Sequence, residues 1–600
     1  MGSVKSGERR PAGRADEGKP KRVWMLSFES SDVAQLGGLG SAVASLAKAL
    51  AEDLNVCVFM PSHGRHNDVR LRESLGLKAV PRFVSQGRRV GVDGNPYPYR
   101  IGMEEGLFEG VRYFLAKGLD QNTSRWLDDR QIYDGELTYQ KMSLFARAMK
   151  EYLRFLLKEA PASRPEVVHA NDWHSIPAAV ALKQEFTERR ISVPLILTIH
   201  LLSDKGLPWH YISEAWCGIR DELHYVHLNG SERQVTYRDV WDNLSGGKFE
   251  RFGAIEADFV ASVSKSYLHS DVLPSLGLDI RKKAGFLYSG CDWDEGEILQ
   301  RVIRESGQRM REFTTTRPSR SDLRRYLLTK AIGETGVPDI QEPGLRRVVE
   351  GLSGLAGISK SGGVAPLLDD GELVLMTGRL DRQKGADVAL NAVDEVLQVL
   401  PATKFLFLLI PVHEELIDST IHEADKHVKN VRVVLGRAPG IYELAHICAD
   451  VHAMPSRWEP FGIAALEAMA TGNPVVGTRV GGMTETVLDI LDHRESGTGR
   501  LVPVEDHREL ARGLVSFLAM MKIDDGARRG NREGAQRLLD AIPYDGVREL
   551  VAQDPSTGST IRKNCRTRVE RHFRPQHAAS MAMKAYEKAS RISRYRDVPI

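Results

Sequence analysis

Short, almost wholly apolar runs of strand length recur along the chain, each separated from the next by a longer helical stretch. This rhythm constrains the fold more than any other feature. A first series comprises "RVWMLSFE" (22–29), "NVCVFMP" (55–61), "EVVHANDWH" (166–174), "VPLILTIH" (193–200) and "ADFVASVS" (257–264). A second comprises "ELVLMTGRL" (372–380), "KFLFLLI" (404–410), "NVRVVLG" (430–436), "DVHAMPS" (450–456) and "NPVVGTRVGG" (473–482). Runs apolar on both faces belong in a parallel sheet covered by helices on both sides. A chain of 600 residues also exceeds what one hydrophobic core supports. The expected fold class is therefore α/β, with two Rossmann-like doubly wound domains.

The expected organisation is a disordered tail over 1–20, a first domain over 21–295 and a second over 369–555. Residues 296–368, rich in arginine and containing "GLSGLAGISKSGG" (351–363), read as a linker or insertion. Residues 556–600 form a C-terminal segment whose stretch "RPQHAASMAMKAYEKASRI" (574–592) reads as a final amphipathic helix.

Net charge is +2, from 82 Lys and Arg against 80 Asp and Glu, so no general attraction to nucleic acid or membrane is expected. No apolar run is long enough to span a bilayer. The five cysteines (Cys57, Cys217, Cys291, Cys448, Cys565) are scattered and never paired as C-x-x-C. They point to a reducing compartment, with neither a disulfide framework nor a zinc site. The first residues are polar and basic without an apolar core, unlike a secretory signal. The expected localisation is cytoplasmic. His224, His227, His572 and His577 read as surface residues, and no metal site is expected.

Polar residues at the strand ends carry the chemistry. "LGGLG" (36–40) turns tightly before a helix, where backbone N–H groups suit an anion, although a plain turn explains it equally well. In "TGRLDRQKG" (377–385), Arg379 and Lys384 bracket a turn, and two fixed cations suit a diphosphate. In "SRWEPFGIAALEAMATGNP" (456–474), Pro460 suits a first helical position, placing Glu459 at a helix mouth and Glu467 two turns in. A carboxylate there accepts hydroxyl hydrogen bonds; the alternative is a cap at Glu459 and an exposed Glu467. "VGGMTETV" (480–487) adds Gly481 and Gly482 before another helix. Asp172, His174 and His200 stand at strand ends of the first series, with a helix cap and a structural histidine as plainer readings for the first two.

Taken in order, "GGLG", "HANDWH", "GRLDRQKG", "PSRWEPFGIAALEA" and "VGGMTETV" resemble the glycogen/starch synthases among retaining glycosyltransferases. "VWMLSFESSDVAQLGGLGSAVASLAKAL" and "YDGELTYQKM" resemble their archaeal branch. The resemblance implies a GT-B fold, with both domains facing a deep cleft and the C-terminal helix crossing back to the first domain. It implies ADP-glucose or UDP-glucose as donor, an α-1,4-glucan as acceptor, and no metal or other cofactor. An oligomer is compatible with it, and so is a small acceptor or a glycan-binding role.

Carried over residue by residue, the resemblance makes His200, Arg379, Lys384 and Glu459 catalytic. Gly37, Gly38, Phe461, Gly462, Glu467, Gly481 and Gly482 join Arg379 and Lys384 around the nucleotide sugar. Within that set Glu459 holds glucose hydroxyls and Glu467 the ribose, while Asp172 and Gln35 fall on the acceptor side. The sequence departs from the family pattern at Gln35, where lysine is usual, at Asn171 for histidine, and at Leu201 and Ser289 for asparagine.

Overall fold

The computed structural model describes residues 21–596, apart from 204, 205, 311, 314–317, 341 and 532, and describes no side chain beyond 593. The expected tail over 1–20 lies outside the described residues. The chain divides into two compact units. The first runs to Val263 and takes in Asp271–Leu287 and the chain from Ala578; the second is Ser264–Ser270 with Tyr288–His577.

The strands of the first unit are β1 (Arg22–Leu26), β2 (Asn55–Pro61), β3 (Lys78–Ala79), β4 (Ser85–Val90), β5 (Pro96–Phe108) and β6 (Val111–Gly118). They continue with β7 (Val167–Asn171), β8 (Leu195–Ile199), β9 (Leu223–Leu228), β10 (Ser231–Thr236), β11 (Phe259–Ser262) and β12 (Ala284–Phe286). The main sheet has the order β12-β11-β8-β7-β1-β2-β6-β5-β3, with β4 also on β5. Pairing is parallel from β12 to β6. The runs read as fully buried strands are buried along β2, β7, β8 and β11.

Two features depart from the all-parallel expectation. β3, β4 and β5 extend the sheet antiparallel beyond β6, and β9 and β10 form a separate hairpin. That hairpin carries His224, which is buried against Glu256 at 2.9 Å and stacked on Tyr237, so the surface reading of this histidine is corrected.

The second unit contains β13 (Leu373–Leu380), β14 (Lys404–Pro411), β15 (Val431–Leu435), β16 (Val451–Met454), β17 (Val475–Thr478) and β18 (Gly499–Val502). They form one parallel sheet in the order β15-β14-β13-β16-β17-β18. Residues 296–368 are part of this unit and not a linker. Ile298, Val302, Leu323, Leu327, Leu328 and Ile332 are buried in one cluster with β13, β14 and the helix Pro439–Cys448. Their arginines are used in the same way, with Arg324 pairing Asp450 at 2.5 Å and Arg320 bonding the Ala449 carbonyl. The final helix, Pro575–Arg596, starts in the second unit and ends in the first, where the Tyr586 hydroxyl meets His169 Nδ1 at 2.9 Å.

Both sheets reverse direction in their middle. After β1 the chain goes to β2 on one side and returns to β7 on the other; after β13 it goes to β14 and returns to β16. At such a point the loops leaving two adjacent strands part company, and the carboxyl ends of the strands border an open crevice. Among the described residues, no helix is long and apolar enough to cross a membrane.

Candidate active site

In the second unit, the crevice between β13 and β16 gathers Arg379, Lys384 and Glu459. Gly378, with φ at +147°, a conformation that favours glycine, ends the buried part of β13, and the Lys384 chain lies alongside it. Lys384 Nζ reaches Glu459 Oε2 at 2.6 Å, joining the loop after β13 to the loop after β16. Ser456 Oγ also donates to Oε2, at 3.2 Å. Among the described residues, Glu459 Oε1 takes part in no hydrogen bond. Arg379 donates to Gln383 Oε1 at 3.0 Å and pairs with Asp381 at 3.1 Å, and Gln383 Nε2 donates to the Trp458 carbonyl.

The helix here begins at Ile463, with Gly462 as its N-cap at φ 94°. Pro460 is therefore not a first helical residue, and Glu459 belongs to the preceding loop and caps nothing. Glu467 sits in the second helical turn, about 8 Å along the axis from Gly462. Burial pushes its carboxyl up to about 7, against the Tyr442 hydroxyl that donates to Oε2 at 2.9 Å. It is partly buried, so the exposed alternative does not hold. The Phe461 side chain is turned away into packing, stacked on Tyr288 with centroids 5.5 Å apart and edge-on to Phe573, and only its backbone is left to meet a ligand.

Gly481 and Gly482 have a firm steric reason to be glycines. A Cβ on Gly481 would lie 2.1 Å from the Glu459 carbonyl oxygen, and one on Gly482 would lie 2.4 Å from Phe461 Cα. The Gly482 N–H donates to the Glu459 carbonyl at 3.0 Å. These glycines let one loop backbone rest on another, and they hold Glu459 in place.

In the first unit, the crevice between β1 and β7 gathers Glu29, Asn171, Asp172 and His200. Asp172 has φ 57° and ψ 174°, a strained conformation for a non-glycine residue. Its Oδ1 accepts the N–H groups of His200 at 2.6 Å and Leu201 at 3.3 Å, so the carboxyl ties β7 to the loop after β8 and does not cap its own helix. Asn171 Nδ2 donates to the Leu26 carbonyl, which leaves Oδ1 to accept from His200 Nε2 at 3.1 Å. Burial lowers the His200 imidazole to about 4, so it is neutral at pH 7 with its proton on Nε2 and an acceptor at Nδ1. His174 is buried between the rings of Phe28 and Tyr133, each 4.9 Å away.

The glycine loop differs from its expected use. The Glu29 carboxylate accepts from the N–H groups of Leu36 at 2.6 Å and Gly37 at 2.9 Å, and Tyr133 donates to its other oxygen at 2.8 Å. The Gly37 N–H is thus committed to a carboxylate of the protein and not open to a phosphate; the helix Gly38–Leu50 follows it. Gln35 is folded onto the same loop, donating to the Gly37 carbonyl and Ser41 Oγ. Glu29 was missed by sequence reasoning, because a lone glutamate ahead of a glycine turn carries no distinguishing signal.

Burial raises the Asp172 carboxyl to about 8, against an ordinary value near 4. The folded protein then holds a proton that the unfolded chain has lost between about pH 4 and 8, so stability falls as pH rises through that window. His200 and His174, held low by burial, act in the opposite sense, but only below about pH 6.5. From pH 6.5 to 8 the melting temperature should fall, by a loss of roughly 2 kcal/mol from Asp172. Asp172→Asn should flatten that slope in calorimetric scans. An unchanged slope would mean that the carboxyl is already ionised in the folded protein.

The family model for the starch synthase catalytic domain matches residues 22–279, and that for glycosyl transferases group 1 matches residues 364–533. A glycogen synthase of Fusobacterium nucleatum is 24% identical over 482 residues, covering 80% of this chain and 87% of its own. One of Halorhodospira halophila is 26% identical over 513 residues, covering 83% and 91%. Among solved structures, the catalytic domain of starch synthase IV from Arabidopsis thaliana, bound to ADP and acarbose, superposes with a TM-score of 0.62. It is 18% identical and covers 95% of this chain and 99% of that one. Two doubly wound units with polar side chains gathered at the switch points, and these matches, define a glycosyltransferase of the GT-B fold. The chain belongs to the glycogen/starch synthase family.

Proposed function

We propose that the protein transfers glucose from ADP-glucose or UDP-glucose to the non-reducing end of an α-1,4-glucan, with retention at the anomeric carbon. The observation that carries this reading is the Lys384–Glu459 contact at the β13/β16 switch point, with Arg379 beside it. A diphosphate bound there would meet two cations, while Glu459 Oε1 would accept from the sugar hydroxyls and Glu467 from the ribose. As the C–O bond to the diphosphate breaks, Lys384 and Arg379 take up the developing charge. The leaving phosphate oxygen accepts the proton of the incoming glucan hydroxyl on the same face. In the first unit, Asp172 and His200 serve the acceptor side, His200 accepting at Nδ1 from a sugar hydroxyl.

Two fixed side-chain cations replace the metal that other sugar-nucleotide enzymes use, so EDTA should leave the rate unchanged. The test is incubation with radiolabelled ADP-glucose or UDP-glucose, with and without glycogen. Label entering polymer supports the proposal. Label found only on a small acceptor such as a mono- or disaccharide, or transferred to nothing, refutes it.

A further inference from the structure

We propose that Lys141 is a positioning residue for the acceptor side of the reaction, holding the glycine loop in place through two arms that converge on Phe28 and Glu29. The inference rests on the function proposed above and extends it to a residue outside the switch-point cluster. Lys141 stands on the helix Gly135–Glu159 and is wholly buried. Its ammonium donates to His63 Nδ1 at 3.0 Å, to the Asp129 carbonyl at 2.8 Å and to the Gln131 carbonyl. Three donors meet three acceptors, so the charged form is fully satisfied.

The first arm runs through His63. Burial holds this imidazole well below its ordinary value, so it is neutral. Accepting from Lys141 at Nδ1, it carries its proton on Nε2 and donates to the Phe28 carbonyl at 2.9 Å. The second arm runs along the chain from Asp129 to Tyr133. Lys141 holds two carbonyls of this loop, and two residues past Gln131 the Tyr133 hydroxyl donates to Glu29 Oε1. The other carboxylate oxygen takes the N–H groups of Leu36 and Gly37. The Tyr133 ring lies flat against Phe28 and His174, at interplanar angles of 8° and 21°. One ammonium thus fixes Phe28 by its backbone and Glu29 by its side chain.

A packing role does not account for this side chain. Among the described residues no carboxylate bonds the ammonium, and Asp128 and Asp129 favour its charge from further off. Burial lowers it to about 8, a desolvation cost that a methionine of similar length would not carry. What the charge provides is a grip on two backbone carbonyls and a neutral imidazole, which an apolar side chain cannot give. The grip is directed at the β1/β7 crevice, where Glu29 stands with Asn171, Asp172 and His200, and where Gln35 is folded onto the same glycine loop. Arg379, Lys384 and Glu459 belong to the second unit. Loss of Lys141 should therefore be felt by the acceptor and not by the nucleotide sugar.

The test compares full-length wild type with Lys141→Met and Tyr133→Phe, with glycogen as acceptor and labelled ADP-glucose or UDP-glucose as donor. Each substitution should raise the KM for glycogen about tenfold and leave the KM for the nucleotide sugar at its wild-type value. A merely structural loss would lower the active fraction, and so kcat, and move neither KM. Because both side chains act through Glu29, the double variant should show the Lys141→Met defect and no more. Tyr133→Phe keeps the stacked ring and removes the hydroxyl alone, so it reads the role even if Lys141→Met does not fold. An unchanged KM for glycogen in Tyr133→Phe, or a double variant whose KM is raised about a hundredfold, would overturn the positioning role and leave the proposed function standing. A wild type that glucosylates no glucan would instead overturn the function, and this role with it.

Discussion

Lys384→Ala should lower kcat by about 10²–10³-fold, the loss expected when one charge-stabilising donor is removed from a transition state, while the fold is retained. Among the described residues Lys384 has one ion-pair partner, Glu459, and the two side chains are 18% and 7% exposed. Its removal leaves a mostly buried carboxylate with, among the described residues, the Ser456 hydroxyl as its remaining side-chain partner, at a cost of about 1–3 kcal/mol. The companion variant separates the two effects. Adding Glu459→Gln removes the stranded charge, so the double variant should regain most of the lost stability and none of the lost turnover. Unfolding curves and steady-state rates on the same preparations check this. Wild-type turnover in Lys384→Ala would show that the lysine does not serve the diphosphate.

Gly481→Ala should have an effect of similar size by a different route. With φ at 41° and the Glu459 oxygen 2.1 Å from the added Cβ, the alanine cannot be accommodated unless the 459–461 loop moves. Overpacking and backbone strain together predict a loss of about 2–4 kcal/mol. A displacement of Glu459 by about 1 Å predicts a rate loss near 10²-fold. Gly37→Ala is the control for stability: φ is −133° and nothing lies within 4 Å of a Cβ there, so its melting temperature should match wild type. Equal melting temperatures for the two variants would contradict the packing of the Gly481–Gly482 turn on the Glu459 loop.

The central strands were legible because burial on both faces leaves little room for polar residues: "NVCVFMP" is β2 residue for residue. The β3–β6 region was not, because its strands mix arginine, glycine and tyrosine in a partly exposed antiparallel edge. Residues 296–368 misled for a related reason. Their apolar residues are spaced out among arginines, and the ion pairs that absorb those arginines come from Asp450 and Glu443, more than a hundred positions along the chain. At the donor side, Arg379, Lys384 and Glu459 were legible from residue type and strand-end position. The helix start was misplaced because Pro460 fits a first helical turn, whereas Gly462, in a left-handed conformation, sets the true boundary three residues later. Glu29 was invisible because its role depends on Tyr133, more than a hundred positions away.

The closing helix also bears on how the protein is made. Ala578, Ala582, Ala585, Tyr586 and Ala589 are buried in a unit whose other parts end at Leu287, and the partner of His169 Nδ1 is the Tyr586 hydroxyl. At about 5–20 residues per second, a ribosome needs roughly 15–60 s to cover the intervening stretch. Throughout that interval the first unit lacks one of its helices, and His169 lacks the Tyr586 hydroxyl. A segment translated after the second unit completes the first unit, so this half of the molecule matures only after the other has emerged.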